Sequence, residues 1–574
     1  MSSRNSSRPE RDGHEAQRYL ESVERGDVVA CGKLKGLASI MLPRLRDGGY
    51  RHWRYDEQRA LRPVEFIERF CCLPHGRAGE PFILTDYELD AVELAFGFVD
   101  DEGNREFSEV MFMMGRKGGK TALVAALTLY MLVADGEYAP QCYSVANSKD
   151  QASQTYGSIL NMVRQSPLLS KRLRKGIIPD RAQDGLMFDA NRGFFTPLSS
   201  QTRNLDGLNA HWAVLDEMSA MVNRDLYDLV KQSFGSRDQP MLFSITTNGF
   251  ERGGLFDDQY DYASRWLSGE IEDDMFLPIV YELDERDEWH DESKWAKANP
   301  GLGTVKKVSY LQGQVSKARN DPSYLPTVLT KEFNIPENKA SAWLSFDEAV
   351  NPERFDVDSM GFRYCVCGYD ASDSIDLTAA KAMMMRPGDD HIYEMSMYWL
   401  PETALEAHRQ SGLRIERDHA PYDKWIANGL VRVVPGNRID HRVIFDWIHE
   451  LADEHGIYTL ALGYDPWHLT DDTWVQMARM TVGERNAEVV RFGAKTLSGP
   501  MKSIRADFQQ HRIVDDHNPV DEWNRMNVSV QVDRNDNWLP CKGKGPEGRI
   551  DGFAAELCAY IALERHMEEY RGLM

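Results

Sequence analysis

Val110-Met111-Phe112-Met113-Met114-Gly115-Arg116-Lys117-Gly118-Gly119-Lys120-Thr121 decides the reading of the first half of this chain. Five apolar residues predict a buried strand. A basic, glycine-rich loop follows, and Ala122-Leu123-Val124-Ala125-Ala126-Leu127 then predicts a helix without a linker. Strand, glycine loop and helix in that order are what a phosphate-binding loop needs. Small residues let successive N–H groups curl around an anion, and the helix N-terminus turns its partial positive charge toward it. Gly115, Arg116, Lys117, Gly118, Gly119, Lys120 and Thr121 are therefore the candidate ATP-binding loop. Lys120 is placed on the β- and γ-phosphates and the Thr121 hydroxyl on Mg2+. The usual pattern has its first glycine five residues before Gly119, where Met114 stands, with Gly115 one step later. A tight strand-to-helix turn with exposed cations is the alternative.

Two later strand ends supply what such a loop needs around it. Ala213-Val214-Leu215-Asp216-Glu217 is an apolar strand ending in two acids, at the edge where open α/β sheets bind ligands. Asp216 suits the metal, and Glu217 suits the attacking water, which it would orient and deprotonate. Met241-Leu242-Phe243-Ser244-Ile245-Thr246-Thr247-Asn248-Gly249 is another apolar strand ending in small polar residues. Thr246, Thr247 and Asn248 are the candidates for sensing the γ-phosphate and coupling hydrolysis to movement. Arg116 and Arg203 are the candidates for stabilising charge on that phosphate.

Outward from this loop, strands are expected at 110–114, 141–146, 194–197, 213–215 and 241–246, with helical patterns between them. That alternation predicts a parallel sheet covered by helices. The expected organisation is a tail and helical region at 1–50, with 19–42 helical, and a P-loop ATPase core at 51–250. A charged, more helical lid or linker subdomain follows at 251–336, broken at Pro300-Gly301. Residues 337–342 read as a polar linker, and a second α/β domain occupies 343–574.

A chain of 574 residues is too long for one core. No run of about 18 apolar residues predicts a membrane span, and the polar N-terminus has no apolar core of a secretory signal. The eight cysteines lack Cys-x-x-Cys spacing and read as reduced, buried thiols. The net charge of −23 excludes a protein that coats nucleic acid over its whole surface. It leaves room for local basic strips, and two are present, at 44–62 and 164–181. Each also reads as a solvated helix face.

The second half carries another constellation. Tyr364-Cys365-Val366-Cys367-Gly368-Tyr369-Asp370 is a strand ending in an acid, with Asp376 six residues on. Leu460-Ala461-Leu462-Gly463-Tyr464-Asp465 is a second such strand, and Arg549-Ile550-Asp551-Gly552 opens a helical run to residue 563. Two strand-end acids and one at a helix start can meet at one sheet edge. Clustered carboxylates are hard oxygen ligands suited to Mg2+ or Mn2+. A two-metal site ~4 Å across activates water and stabilises the leaving oxygen in phosphodiester cleavage. Asp370, Asp465 and Asp551 are the candidate nuclease ligands, with Asp376 as a helper. Taken singly, each reads as an ordinary cap.

The order of these motifs along one chain is more specific than any of them. It comprises the loop at 115–121, Leu205-Asp206-Gly207-Leu208-Asn209 leading to Asp216-Glu217, Thr246-Thr247, and Trp295-Ala296-Lys297-Ala298-Asn299-Pro300. Gly368-Tyr369-Asp370, Tyr464-Asp465-Pro466-Trp467 and Arg549-Ile550-Asp551-Gly552 follow. Over roughly residues 81–563 the chain resembles the large terminase subunit of tailed phages, the motor that packages double-stranded DNA into a procapsid. The resemblance implies an N-terminal P-loop ATPase and a C-terminal ribonuclease H-like α/β nuclease. It implies ATP and Mg2+ as cofactors, with Mg2+ or Mn2+ at the nuclease. It also implies double-stranded DNA, a small terminase subunit, a portal ring and a working homo-pentamer as partners, with no membrane. The place of action would be the host cytoplasm and, transiently, the procapsid. In Phe82-Ile83-Leu84-Thr85-Asp86-Tyr87-Glu88, Glu88 stands where the family often carries glutamine, which leaves base preference open. A translocase or helicase whose C-terminal half only grips DNA is the alternative function. A capsid-associated structural protein with a degenerate loop is a third.

Overall fold

The apolar run before the glycine loop is buried along its whole length and forms β1 (Glu109–Met113) in the computed structural model. It ends one residue earlier than expected, so Met114 already belongs to the loop. The structure describes residues 9–146, 149–178, 183–199, 207–221, 224–250, 254–321, 324–337, 343–372, 377–410, 420–467, 469, 472–542 and 549–574. Arg203, Leu205-Asp206, Asp376 and most of the expected linker lie outside them. The chain divides into two units, 1–336 and 337–574.

In the first unit, β1 is joined by β2 (Gln141–Ala146), β3 (Leu173–Ile178), β4 (Gln183–Phe188), β5 (Gly193–Ser199), β6 (Trp212–Asp216), β7 (Met241–Thr246) and β8 (Phe276–Val280). Their order across the sheet is β8-β1-β7-β6-β2-β5-β4-β3. The strands from β8 to β5 run parallel, and β5, β4 and β3 close one edge as an antiparallel meander. Strands such as Met241–Thr246, buried at every position, are continuous apolar runs because helices cover both faces.

Two features differ from the sequence reading. The β3–β4 hairpin was not foreseen, because Lys175 and Gly176 interrupt its apolar pattern. β8 lies beyond residue 250, where the core was expected to end, and pairs with β1 from Phe276 opposite Glu109. Its Pro278 is tolerated because β8 is an edge strand with one partner.

Three helices matter for the site: α1 (Asp86–Gly97), α2 (Lys120–Val133) and α3 (Lys149–Gln165). The helical region expected at 19–42 is two helices, Glu15–Arg25 and Gly32–Arg46, separated at Gly26, which adopts a left-handed cap. After β8 the chain builds short 3-10 turns, the helix Val308–Asn320 and α4 (Leu325–Phe333), which share an apolar cluster including Trp289, Trp295, Leu311 and Phe333.

The second unit holds a mixed sheet of β9 (Tyr364–Asp370), β10 (Thr378–Met384), β11 (Ile392–Pro401), β12 (Val431–Val434), β13 (Tyr458–Tyr464) and β14 (Ala487–Val489). The order is β12-β11-β10-β9-β13-β14, and β15 (Ile513–Asp515) also pairs with β11. β9, β10 and β11 form an antiparallel meander, and β13 pairs parallel with β9. The terminal helix α5 (Asp551–Leu573) lies directly on β9 and β13. Close approach is what Gly368 and Gly463 supply: a Cβ on Gly368 would stand 2.1 Å from the Ala555 carbonyl oxygen, and one on Gly463 2.1 Å from that of Cys558. Gly368→Ala therefore pushes α5 off the sheet and costs about 3 kcal/mol of unfolding free energy. Gly313→Ala, in the helix Val308–Asn320 with nothing within 4 Å of its added methyl, is neutral or stabilising. Urea melts of the two variants test this, and equal midpoints would refute it.

Candidate functional site

The candidate ATP site lies at the carboxyl edge of the first sheet. Lys117 and Gly119 hold left-handed backbone, φ 61° and 89°, giving the loop the curl of an anion-binding nest. The Lys120 ammonium folds back onto the loop and donates to the carbonyls of Met114 at 2.5 Å and Gly115 at 3.0 Å. Burial, aided by the neighbouring Lys306, lowers its pKa to about 7.

One strand, β7, separates β1 from β6, so the loop faces Asp216 and Glu217 across the end of β7. Asp216 accepts a hydrogen bond from the Thr155 hydroxyl at 2.7 Å, and burial raises its pKa. Glu217 takes a left-handed φ of 55°, a strained conformation for a residue with a Cβ, worth about 1–3 kcal/mol. Its amide is fixed to the Ile245 carbonyl at 2.9 Å, and the Gln151 amide donates to its carboxylate at 2.8 Å. Thr155 and Gln151 both stand on α3. Nothing in the sequence pattern singled them out.

A second set of contacts ties the loop to the segment after β8. The amides of Gly115 and Arg116 donate to the carbonyls of Ala298 and Lys331, at 2.9 and 2.8 Å. A Cβ on Gly115 would stand 2.4 Å from both the Asn299 side-chain oxygen and the Glu332 carbonyl oxygen, which accounts for glycine one step late in the pattern. The Lys331 ammonium reaches the Asn248 carbonyl at 2.6 Å. Asn334 receives the Asn248 amide on its side chain and the Asn248 side chain on its carbonyl, both at 3.0 Å. Thr246 accepts the Ser219 amide at 3.1 Å. The loop and the β7 end thus share one clamp, Lys331 and Asn334 at the end of α4.

Glu88 lies beside Gly119. One oxygen of its carboxylate accepts from the Thr85 amide and hydroxyl, at 2.9 and 2.7 Å, closing the capping box of α1. Burial raises its pKa to about 7.

In the second unit, Tyr369 of β9 pairs with Tyr464 of β13. Asp370 and Asp465 follow one step later and stand side by side at the carboxyl edge. Asp551 is the first residue of α5, and the Gly552 amide is held by the Asn524 side chain at 3.0 Å. Cys558, one face of α5 further along, feels both Asp370 and Asp465, which add to burial in raising its pKa. Asp370 and Asp465 therefore share an edge, and Asp551 starts the helix that packs on their two strands. Among the described residues no group of three or more His, Cys, Asp or Glu is close enough to hold one ion. Beneath this edge is a buried ionic network that sequence reasoning missed. Asp521 takes hydrogen bonds from Tyr398 and Ser396 and pairs with Lys381 at 2.5 Å. Burial opposes the charge of Lys381, but Asp521 and Glu394 outweigh it and hold its pKa above the usual range. A Cβ on Gly552 would meet the Tyr398 hydroxyl at 2.2 Å, so the network braces the start of α5.

No described helix is long and apolar enough to cross a membrane. Residues 86–265 match the model for the terminase large subunit ATPase domain, and residues 270–567 that for its endonuclease domain. The chain is 25% identical to the terminase large subunit of Enterobacteria phage HK97, over 90% of this chain and 97% of the relative. It is 21% identical to that of Lactococcus phage p2, over 88% and 91%. The crystal structure of the HK97 large terminase aligns with a TM-score of 0.45 at 24% identity, covering 88% of this chain and 99% of that one. With an ATPase and an endonuclease in one polypeptide, this chain belongs to the terminase large subunits, which package and cut phage DNA.

Proposed function

We propose that residues 115–121 bind the triphosphate of ATP, that Glu217 is the base acting on the attacking water, and that Thr246, Thr247 and Asn248 couple hydrolysis to movement. The observation that carries this reading is one cavity lined by the loop residues Arg116 to Thr121 and by Glu217, with Asp216 beside Glu217 at the end of β6. Thr121 and Asp216 would hold the divalent cation, Mg2+, which supplies charge neutralisation on the phosphates. The Lys120 ammonium leaves the carbonyls of Met114 and Gly115 for the β- and γ-phosphates. Gln151 orients the Glu217 carboxylate so that its other oxygen accepts a proton from water. Arg116 is the cis candidate for γ-phosphate charge, its amide already fixed by Lys331. Loss of the γ-phosphate would be felt at Asn248 and passed to Lys331 and Asn334, so residues 281–336 act as the lid. We place the ATPase core at 51–280 and the nuclease at 343–574.

For the nuclease, Asp370, Asp465 and Asp551 suit Mg2+ or Mn2+ as oxygen donors from one edge, with Asp376 as a further candidate. Double-stranded DNA is the substrate, and a small terminase subunit, a portal ring and a homo-pentameric assembly on the procapsid in the host cytoplasm are the proposed setting.

Glu217→Gln tests the ATPase assignment. The variant keeps ATP affinity within about threefold and loses about 10²–10⁴-fold in turnover, because phosphate contacts stay and only the base is removed. Lost binding with an unchanged rate per bound ATP would make Glu217 structural.

A further inference from the structure

The fold pairs most cations of the first cation-rich stretch with acids and few of those of the second. In the first, Arg44 is buried against Glu106, Arg46 meets Glu24 at 2.7 Å, Arg51 meets Asp274 at 3.0 Å, and Arg54 meets Asp56 at 2.9 Å. Four of the six arginines of that stretch are thus paired with acids, while Arg59 and Arg62 have no carboxylate partner among the described residues. In the second, the sequence between Asp150 and Asp180 holds five cations and no acid, in a chain of net charge −23. They are Arg164, Lys171, Arg172, Arg174 and Lys175. Arg174 meets Asp189 at 3.2 Å. Lys171, Arg172 and Lys175 are exposed and have no carboxylate partner among the described residues.

Lys171 and Arg172 end the short helix Leu169–Arg172, and Lys175 lies on β3, the outer strand of the sheet. Cations on an edge strand also discourage pairing with another sheet. That accounts for Lys175 and leaves Lys171 and Arg172, which precede the strand, unexplained. The connection to the ATPase site is direct. α3 braces Glu217 and Asp216 through Gln151 and Thr155, and the Leu169–Arg172 helix begins four residues after its end. From Thr155 to the end of α3 is ~15 Å at 1.5 Å per residue.

We propose that Lys171, Arg172 and Lys175 form a contact surface for the phosphate backbone of double-stranded DNA, and that α3 carries load from this surface to the ATPase carboxylates. The inference rests on the DNA-packaging reading. A phosphate lattice is the partner whose charge this strip matches. The acidic remainder of the chain repels DNA and leaves uncompensated cations as the place of contact. Backbone contact without base readout also suits a motor that passes any sequence.

The test is duplex binding by the full chain across a salt series. Lys171→Ala/Arg172→Ala/Lys175→Ala lowers the slope of log affinity against log salt by about 2.7, or about 0.9 per phosphate contact, and weakens binding at fixed salt at least about tenfold. Lys175→Ala alone lowers the slope by about 0.9. Arg46→Ala/Arg51→Ala keeps the parent slope, as does Lys171→Arg/Lys175→Arg. At DNA concentrations that saturate the triple variant, stimulation of ATP turnover by DNA is still reduced. A parent that fails to bind duplex overturns the DNA reading itself. A parent that binds, with an unchanged slope in a triple variant that melts like the parent, overturns this surface alone. Altered sedimentation of that variant would then assign the strip to contacts between copies. A lowered slope with full stimulation overturns the role of α3.

Discussion

Lys120→Ala abolishes ATP turnover, by about 10³-fold, and leaves DNA cleavage at the parent rate. The ammonium is the only lysine charge whose side chain starts at the first turn of α2 and points into the loop, where it now bonds to the Met114 and Gly115 carbonyls. Removing a preorganised charge from a phosphoryl-transfer site costs about 3–4 kcal/mol of transition-state stabilisation. The same residue predicts a proton signature. Its pKa of about 7 in the nucleotide-free protein comes first from burial and then from Lys306. Both disfavour the charged form, whereas a bound triphosphate favours it. At pH 8 the amine form predominates, so ATP binding takes up close to one proton; at pH 6 the group is already charged and uptake disappears. Calorimetry at pH 8 in buffers of different ionisation enthalpy measures this. Uptake that persists in Lys120→Ala would assign the proton elsewhere, and normal turnover by that variant would remove Lys120 from the site.

The strands that carry the ATPase were legible because each is buried on both faces and so appears as an unbroken apolar run. Gln141–Ala146 and Met241–Thr246 have the expected bounds. β8 was missed because Pro278 argues against a strand, an argument that fails at a sheet edge. The β3–β4 hairpin was missed because half its residues are not buried and three of those, Arg174, Lys175 and Asp184, carry charge. Local pattern thus finds central strands and loses edges.

The chemistry divides the same way. Groups borne on strand ends, Asp216, Glu217, Asp370 and Asp465, announce themselves by an acid after apolar residues. Groups that hold them in place do not. Gln151 and Thr155 are ordinary polar residues of a helix, and Lys331 and Asn334 lie more than 80 residues from the strand end they grip. Only tertiary contact gives them meaning. Glu88 joins both kinds: one oxygen of its carboxylate closes a capping box, a local role, while the other lies beside Gly119 of the loop.

Alanine at Asp370, Asp465 or Asp551 lowers DNA cleavage about 10³-fold, and the triple variant cuts no more than about tenfold slower than any single one. The first two acids stand one step beyond the Tyr369–Tyr464 pair, and we place the third with them because α5, which it begins, packs on their strands over Gly368 and Gly463. A divalent ion needs its ligands together, so losing one forfeits most of what all three supply. Additive losses would mean that the acids act separately. ATP turnover stays at the parent rate in every variant. Stability should not fall either: removing one of several like charges relieves repulsion, and the brace of Asn524, Tyr398 and Asp521 at the start of α5 is left in place. Thermal melts at or above the parent value, alongside cleavage in Mg2+ and in Mn2+, are the measurements. Asp370→Ala should also need more Mn2+ for half-maximal residual cutting, since a site with fewer carboxylates binds a hard cation less tightly. An Asp551→Ala protein that folds and cuts at the parent rate would move the third ligand off α5, and Asp376 would then be the first residue to replace.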